Sequence, residues 1–350
     1  MKHIFILFGS TGDIYNKKIY SSLYNLNDNF IALCLGRNKL HKNEFYNLIK
    51  NGLKTNQNNF DNFFKNFEYI KVDYDDIETY NNIIRFIELN YINNSKIIFY
   101  FGIPAFATVN ILKNIHKLKI NKLNNSFFLI EKPFGNSFNQ FIDYCQIINY
   151  NDNNNYLFID HYRAKNKLIQ LKHNINNYLK NNTKKITIEI YETNDINNRV
   201  NYFENYGLIN DMFQSHILSI LQYIFGNYFY LQQIPIVKDL TIKQYDNYPI
   251  SNSKTETFFD LLLTWNNIDI NIICGKKMNN EKRTITFEYF DNSINIYDFT
   301  DNNNEYINLF NDVIKYNGKN LFLSYKDNIN YWNITNNILL FKDQIIIKYY

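Results

Sequence analysis

The chain has 350 residues, 45% hydrophobic and 20% charged, a balance that excludes a disordered or fibrous protein and predicts two globular domains. A net charge of +4 is too small and too dispersed for a nucleic-acid groove, and no apolar run approaches the roughly 20 residues of a membrane span. Cys34, Cys145 and Cys274 lack paired spacing, which excludes a disulfide framework and a thiolate metal site and predicts a soluble protein of the reducing cytoplasm. Glycine and proline are scarce, at 10 and 4, so each surviving one carries weight.

From residue 3 to 159, short apolar runs alternate with amphipathic stretches. The runs 3–8, 30–35, 67–73, 96–101, 126–131 and 156–159 read as strands. Helical spacing lies between them, as in Ile19, Leu23 and Leu26, or Val109, Leu112 and Ile115 behind Pro104. The run that opens the chain is too short for a secretion signal and reads as the first strand. Such alternation predicts an α/β, Rossmann-like doubly wound parallel sheet, whose ligands bind beyond the carboxyl ends of the strands.

Those carboxyl ends carry the chemistry. After the first strand comes Gly9-Ser10-Thr11-Gly12-Asp13, half of a dinucleotide fingerprint, whose two glycines allow a tight turn and close approach of phosphate. Strand two ends at Leu35-Gly36-Arg37, where an arginine suits the 2′-phosphate of NADP and an acid would suit NAD. Strand five runs into Glu131-Lys132-Pro133-Phe134-Gly135, a turn that would hold Lys132 over the crevice. Strand six delivers Asp160, His161, Tyr162 and Lys165. If a helix begins after Ile159, His161 and Lys165 share one face, could grip one anion, and Asp160 caps the helix. Residues 151–155 read as an Asn-rich loop.

Beyond Lys165 the texture changes. A helix is expected over 168–179, a strand over 185–191 ending at Glu192, and one long helix over 206–225. That helix carries Asn210, Asp211, Gln214, Ser215 and His216 among apolar neighbours, and buried polar groups of this kind must be satisfied or functional. Residues 258–265, 268–274, 284–290 and 293–298 read as adjacent antiparallel strands, so the second domain is α+β with a mainly antiparallel sheet. The expected boundary separates 1–160 from 161–350.

Taken in order, these motifs resemble the glucose-6-phosphate dehydrogenase family over nearly the whole chain. The Gly9 to Asp13 loop with Lys17-Lys18-Ile19-Tyr20 is similar to the family's G-A-S-G-D-L-A followed by K-K-I-Y. Glu131 to Gly135 is its E-K-P-F-G, 159–165 resembles I-D-H-Y-L-G-K, and 202–216 resembles Y-F-D-E-x-G-x-x-R-D-x-x-Q-N-H. Gly275-Lys276 is similar to a later G-K-A-L.

The resemblance implies oxidation of glucose 6-phosphate to 6-phosphogluconolactone with hydride transfer to NADP, the first step of the oxidative pentose phosphate pathway. His216 is then the general base for the C1 hydroxyl and Asp160 orients it. His161, Tyr162 and Lys165 bind the 6-phosphate, while Lys132, Glu192, Asp211 and Lys276 contact the sugar. The cofactor falls to Gly9, Thr11, Gly12, Asp13, Lys18, Arg37 and Lys132, with Lys18 at the junction with substrate. The second domain would serve substrate binding and dimerisation, giving a homodimer in the cytoplasm.

The chain also departs from the family. Arg163-Ala164 replaces Leu-Gly, which puts a new cation beside the phosphate pocket or on the surface, and the chain is short between Phe299 and Glu305. Lys282 is the stand-in for a second cationic contact. Two rival readings are a sugar dehydrogenase of the glucose-fructose oxidoreductase type, whose motif sets Asp four rather than five residues before His, and an inactive NADP-binding descendant.

Overall fold

The computed structural model describes residues 2–53, 59–135, 137–147, 155–175, 181–196, 199–226, 233–300, 304–342 and 348–349. Most of the expected Asn-rich loop and the end of the helix expected over 168–179 lie outside the described residues. Contacts divide the chain into two units, Met1–His161 with Asn303–Tyr325, and Tyr162–Asn302 with Lys326–Tyr350. The chain thus leaves the first unit after His161 and returns to it, a return that a simple division after residue 160 does not contain. No helix among the described residues is long and apolar enough to cross a membrane.

The first unit holds six strands, β1 (Lys2–Phe8), β2 (Asn29–Gly36), β3 (Phe67–Lys71), β4 (Ile97–Phe101), β5 (Ser126–Ile130) and β6 (Tyr156–Phe158). They form one sheet in the order β3-β2-β1-β4-β5-β6, with every pairing parallel. Ile4 to Phe8 and all of β4 and β5 are buried on both faces, which is why they read as unbroken apolar runs. Strand order reverses beside β1, so the β1 and β4 ends flank the crevice where such sheets take ligands.

The returning segment is tied to this sheet by specific contacts. Leu323 and Phe158 form an antiparallel bridge, and the Phe310 ring of helix Glu305–Tyr316 meets Phe5 edge-on at 5.3 Å. Lys96, just before β4, donates to the Val313 carbonyl at 2.7 Å, and within the segment itself Asp312 accepts the Leu321 N–H at 2.9 Å.

The second unit holds β7 (Thr183–Tyr191), β8 (Ile236–Gln244), β9 (Phe258–Trp265), β10 (Ile268–Gly275), β11 (Lys282–Tyr289), β12 (Ile294–Asp298) and β13 (Lys348–Tyr349). Their order is β12-β11-β7-β10-β9-β8-β13. The sheet is mostly antiparallel as expected, but β13 runs parallel to β8, and β10 runs parallel to β7, from which three helical pieces and two strands separate it in sequence. Ile186, Ile188 and Ile190 of β7 are buried and the residues between them half-buried, the period-2 signature of a one-sided core. β8 escaped the sequence reading because its pairing with β9 shifts between Val237 and Asp239, which breaks the alternation.

The long helix expected over 206–225 is three pieces. Helix Val200–Leu208 breaks at Gly207, a π-wound stretch covers Ile209–Ile217, and an α-helix continues over Leu218–Phe225. Glu256 receives the Ile209 N–H at 2.8 Å where the π winding begins.

Candidate active site

In the first unit, the turn after β1 depends on Gly9, whose φ of +76° is one that L side chains rarely adopt. A Cβ there would lie 2.4 Å from the Ile103 side chain. The Gly12 N–H closes the turn on the Gly9 carbonyl at 2.8 Å. Gly9, Thr11 and Gly12 are half-buried along it, whereas Asp13 is exposed and paired with Lys17 at 2.8 Å. Lys18 stands on the π-wound segment Tyr15–Ile19, 3.6 Å from the carboxylate of Glu305, and Arg37 is exposed just past Gly36. A turn without side chains at these glycines fits the phosphates of a dinucleotide.

Tyr74 was missed by sequence reasoning. Its hydroxyl accepts the Gly9 N–H at 3.0 Å, so it stands at the same turn. Burial pushes its phenol up to about 12, which keeps it neutral. The signal was positional, since Tyr74 follows the carboxyl end of β3.

Lys132 and Glu131 follow β5, and the Lys132–Pro133 peptide bond is cis. The hydroxyls of Tyr100 and Tyr306 both donate to one oxygen of Glu131, at 2.7 Å and 2.8 Å. Tyr306 also stacks on His161, centroids 6.5 Å apart and planes 11° apart, so the returning helix supplies part of this edge. Asp160 is buried beside it.

The helix expected after Ile159 does not form. Residues 161–164 are a turn, Lys165 is extended at φ −67° and ψ 131°, and the helix starts at Asn166. The helical face that would join His161 and Lys165, conditional on such a helix, is therefore absent, since extended backbone at Lys165 interrupts any helix through it.

In the second unit the π winding decides which side chains meet. Asp211 and His216 are five residues apart, which in an α-helix sets them about 140° apart around the axis. A π-helix bonds residue i to i+5 and brings that pair toward one face. The Leu218 N–H donates to the Phe213 carbonyl and the Ser215 hydroxyl to the Asn210 carbonyl at 3.0 Å, both spanning five residues. Asp211, Gln214 and His216 are all buried.

Strand register brings the other charges together. Tyr191 of β7 lies opposite Gly275 of the parallel β10, so the next residues, Glu192 and Lys276, emerge side by side. The Lys276 ammonium pairs with Glu192 and lies 3.5 Å from Asp211, while Tyr202 donates to Asp211 at 3.0 Å. Burial alone would raise Glu192, but the Lys276 charge outweighs it and holds that carboxyl below its ordinary value.

The Tyr162 ring lies on the His216 imidazole with centroids 4.2 Å apart, and the Lys165 ammonium is 5.3 Å from the same ring. Arg283 bonds the Tyr162 hydroxyl. Lys282 pairs with Glu189 and Arg283 also with Glu281, both at 2.5 Å. Adjacent strand residues face opposite ways, so Lys282 and Arg283 have different partners. Arg163 is buried with its guanidinium 5.0 Å from the Tyr223 ring, which excludes the surface position considered for it.

A buried imidazole, two carboxylates on one ammonium, and further cations suit proton abstraction from a hydroxyl on an anionic substrate. Comparison with known proteins points the same way. A family profile described as "Glucose-6-phosphate dehydrogenase, NAD binding domain" matches residues 6–170, and "Glucose-6-phosphate dehydrogenase, C-terminal domain" matches 161–227. The glucose-6-phosphate 1-dehydrogenase of Helicobacter pylori is 28% identical over 234 residues, covering 63% of this chain and 53% of that protein. The chain spans about half the length of the first curated relatives it matches.

Among solved structures, glucose-6-phosphate 1-dehydrogenase from Mycobacterium avium has a TM-score of 0.84 at 17% identity, covering 99% of this chain and 93% of that one. A glucose-6-phosphate dehydrogenase in complex with its substrate glucose-6-phosphate has a TM-score of 0.83 at 18% identity, over 99% and 94% of the two chains. At such identities the likeness is one of fold.

Proposed function

The chain belongs to the glucose-6-phosphate dehydrogenase family, and from that premise we propose that it oxidises glucose 6-phosphate at C1 to 6-phosphogluconolactone, with NADP as cofactor. The observation that carries the proposal is the buried cluster of Glu192, Asp211 and Lys276, on the unit whose π-wound helix also carries His216. His216 takes the proton of the C1 hydroxyl, and Asp160 fixes its tautomer and favours the imidazolium that forms. Lys132, Glu192, Asp211 and Lys276 orient the sugar hydroxyls. His161, Tyr162, Lys165 and Arg283 hold the 6-phosphate, with Arg283 filling the role expected of Lys282.

NADP, when bound, supplies the acceptor for the hydride. Gly9, Thr11, Gly12, Asp13, Lys18, Arg37 and Lys132 would hold it, with Arg37 meeting the 2′-phosphate. The form of the Gly9 turn supports this assignment. We also propose a homodimer that works in the cytoplasm, a compartment consistent with Cys34, Cys145 and Cys274 being free and buried.

The test is the initial rate of reduced-cofactor formation with glucose 6-phosphate, run beside glucose and with NAD in place of NADP. Turnover that requires the phosphate and favours NADP supports the proposal. Turnover of unphosphorylated glucose at the same rate contradicts it.

A further inference from the structure

The turn between β2 and helix Lys42–Leu53 is held at three points. At its start, the Gly36 carbonyl accepts the Val72 N–H at 2.9 Å. At its end, the Glu44 carboxylate accepts the His41 N–H at 2.6 Å, and the Phe45 N–H donates to the His41 carbonyl at 3.0 Å. The third point lies between them, where the Tyr69 hydroxyl donates to the Asn38 carbonyl at 2.5 Å. Arg37 is the one residue between the first anchor and the third.

Tyr69 reaches that carbonyl because residue 36 is glycine. A Cβ on Gly36 would lie 2.5 Å from the Tyr69 hydroxyl oxygen, so any side chain there displaces the phenol. On its other side the Tyr69 ring packs against Phe45 with centroids 4.7 Å apart, which fixes it against the helix that ends the turn. Burial pushes the Tyr69 phenol above its ordinary range, so it remains a proton donor at neutral pH. Arg37 and Lys39 are exposed on either side of the anchored residue.

An arginine side chain surrenders much conformational freedom when it binds, and fixing its backbone beforehand reduces what is left to lose. We propose that Tyr69 is a positioning residue for dinucleotide choice, holding the turn so that Arg37 meets the 2′-phosphate. The inference rests on the cofactor reading above and extends it to a residue that does not touch the cofactor.

The experiment is calorimetric titration of the full chain with NADP, NAD and adenosine 2′,5′-bisphosphate, which needs no turnover. Tyr69→Phe keeps the ring and its contact with Phe45 and removes only the hydroxyl. The expected result is a loss of about three- to tenfold in affinity for NADP and the bisphosphate, with NAD changed by less than about twofold. In an Arg37→Ala background the same substitution leaves the NADP to NAD ratio unchanged, because its effect runs through Arg37. Equal weakening of NADP and NAD, or an undiminished effect without Arg37, overturns the proposal. A wild-type chain that binds NAD as tightly as NADP overturns the cofactor reading itself and this inference with it.

Discussion

The Tyr162 ring lies over the His216 imidazole, with centroids 4.2 Å apart and planes 30° apart. A ring face beside an imidazole stabilises the cation formed when it takes a proton. The same tyrosine bonds Arg283 through its hydroxyl, so under the proposed function one side chain serves the base with its ring and an anion-binding cation with its oxygen.

These two services separate by substitution. Tyr162→Phe keeps the ring and is expected to raise KM for glucose 6-phosphate about three- to tenfold with kcat nearly unchanged. Tyr162→Leu removes the ring as well and is expected to lower kcat about tenfold further. Steady-state kinetics on both variants check this. Equal kcat in the two contradicts a role for the ring.

Lys276 holds two carboxylates, Glu192 and Asp211, and is itself buried. Removing the ammonium leaves both acids in a poorly solvated place, so Lys276→Met is expected to cost about 3–5 kcal/mol of unfolding free energy. Asp211→Asn keeps the Glu192 pair and should cost less than half as much. Denaturant titration of the two variants decides, and similar losses contradict the account.

Glu131 sets a pH dependence. Burial is the largest influence on its carboxyl, which is pushed up to about 7 although Tyr100, Tyr306 and Lys132 act in the opposite direction. Such an acid keeps a proton in the folded state that the unfolded chain releases. Stability therefore falls as pH rises from the ordinary carboxylate range through about 7. Glu192 has a lowered folded value, so its contribution is present above the ordinary range and is lost only as pH drops below it. The two windows do not overlap. Denaturation midpoints from about pH 5 to 8 should fall in the wild type and stay flatter in Glu131→Gln. Parallel curves contradict the assignment.

Strands β1, β4 and β5 were legible because burial on both faces makes them continuous apolar runs. The first unit's returning helix was not, since Phe310 meets Phe5 across almost the whole chain and no local pattern encodes that contact. In the second unit, strand register could not be read one residue at a time, so the sequence did not show that Lys282 pairs with Glu189 while Arg283 meets Tyr162. The five-residue interval from Asp211 to His216 was visible, but only π winding makes it a shared face. Whether a helix begins after Ile159 was open for a related reason, because spacing alone does not reveal the extended backbone at Lys165.

Arg163, the cation that departs from the family pattern, is buried 5.0 Å from the Tyr223 ring, and Lys172 lies 4.1 Å from the same ring. Tyr223→Leu is expected to lower stability by about 2–4 kcal/mol, from lost packing and two lost cation–π contacts. Tyr223→Phe, which keeps the ring face, should cost less than about 1 kcal/mol. Thermal denaturation of both checks it. A Phe variant as unstable as the Leu variant contradicts the ring's part.

The central claim is that His216 is the base for oxidation of glucose 6-phosphate. It is tested most directly by kcat for NADPH formation in the wild type and in His216→Ala, with NADP affinity measured on the same preparations. The account predicts a kcat lower by about two to four orders of magnitude and an NADP affinity nearly unchanged. A variant that keeps its turnover, or that loses cofactor binding in the same proportion, contradicts it.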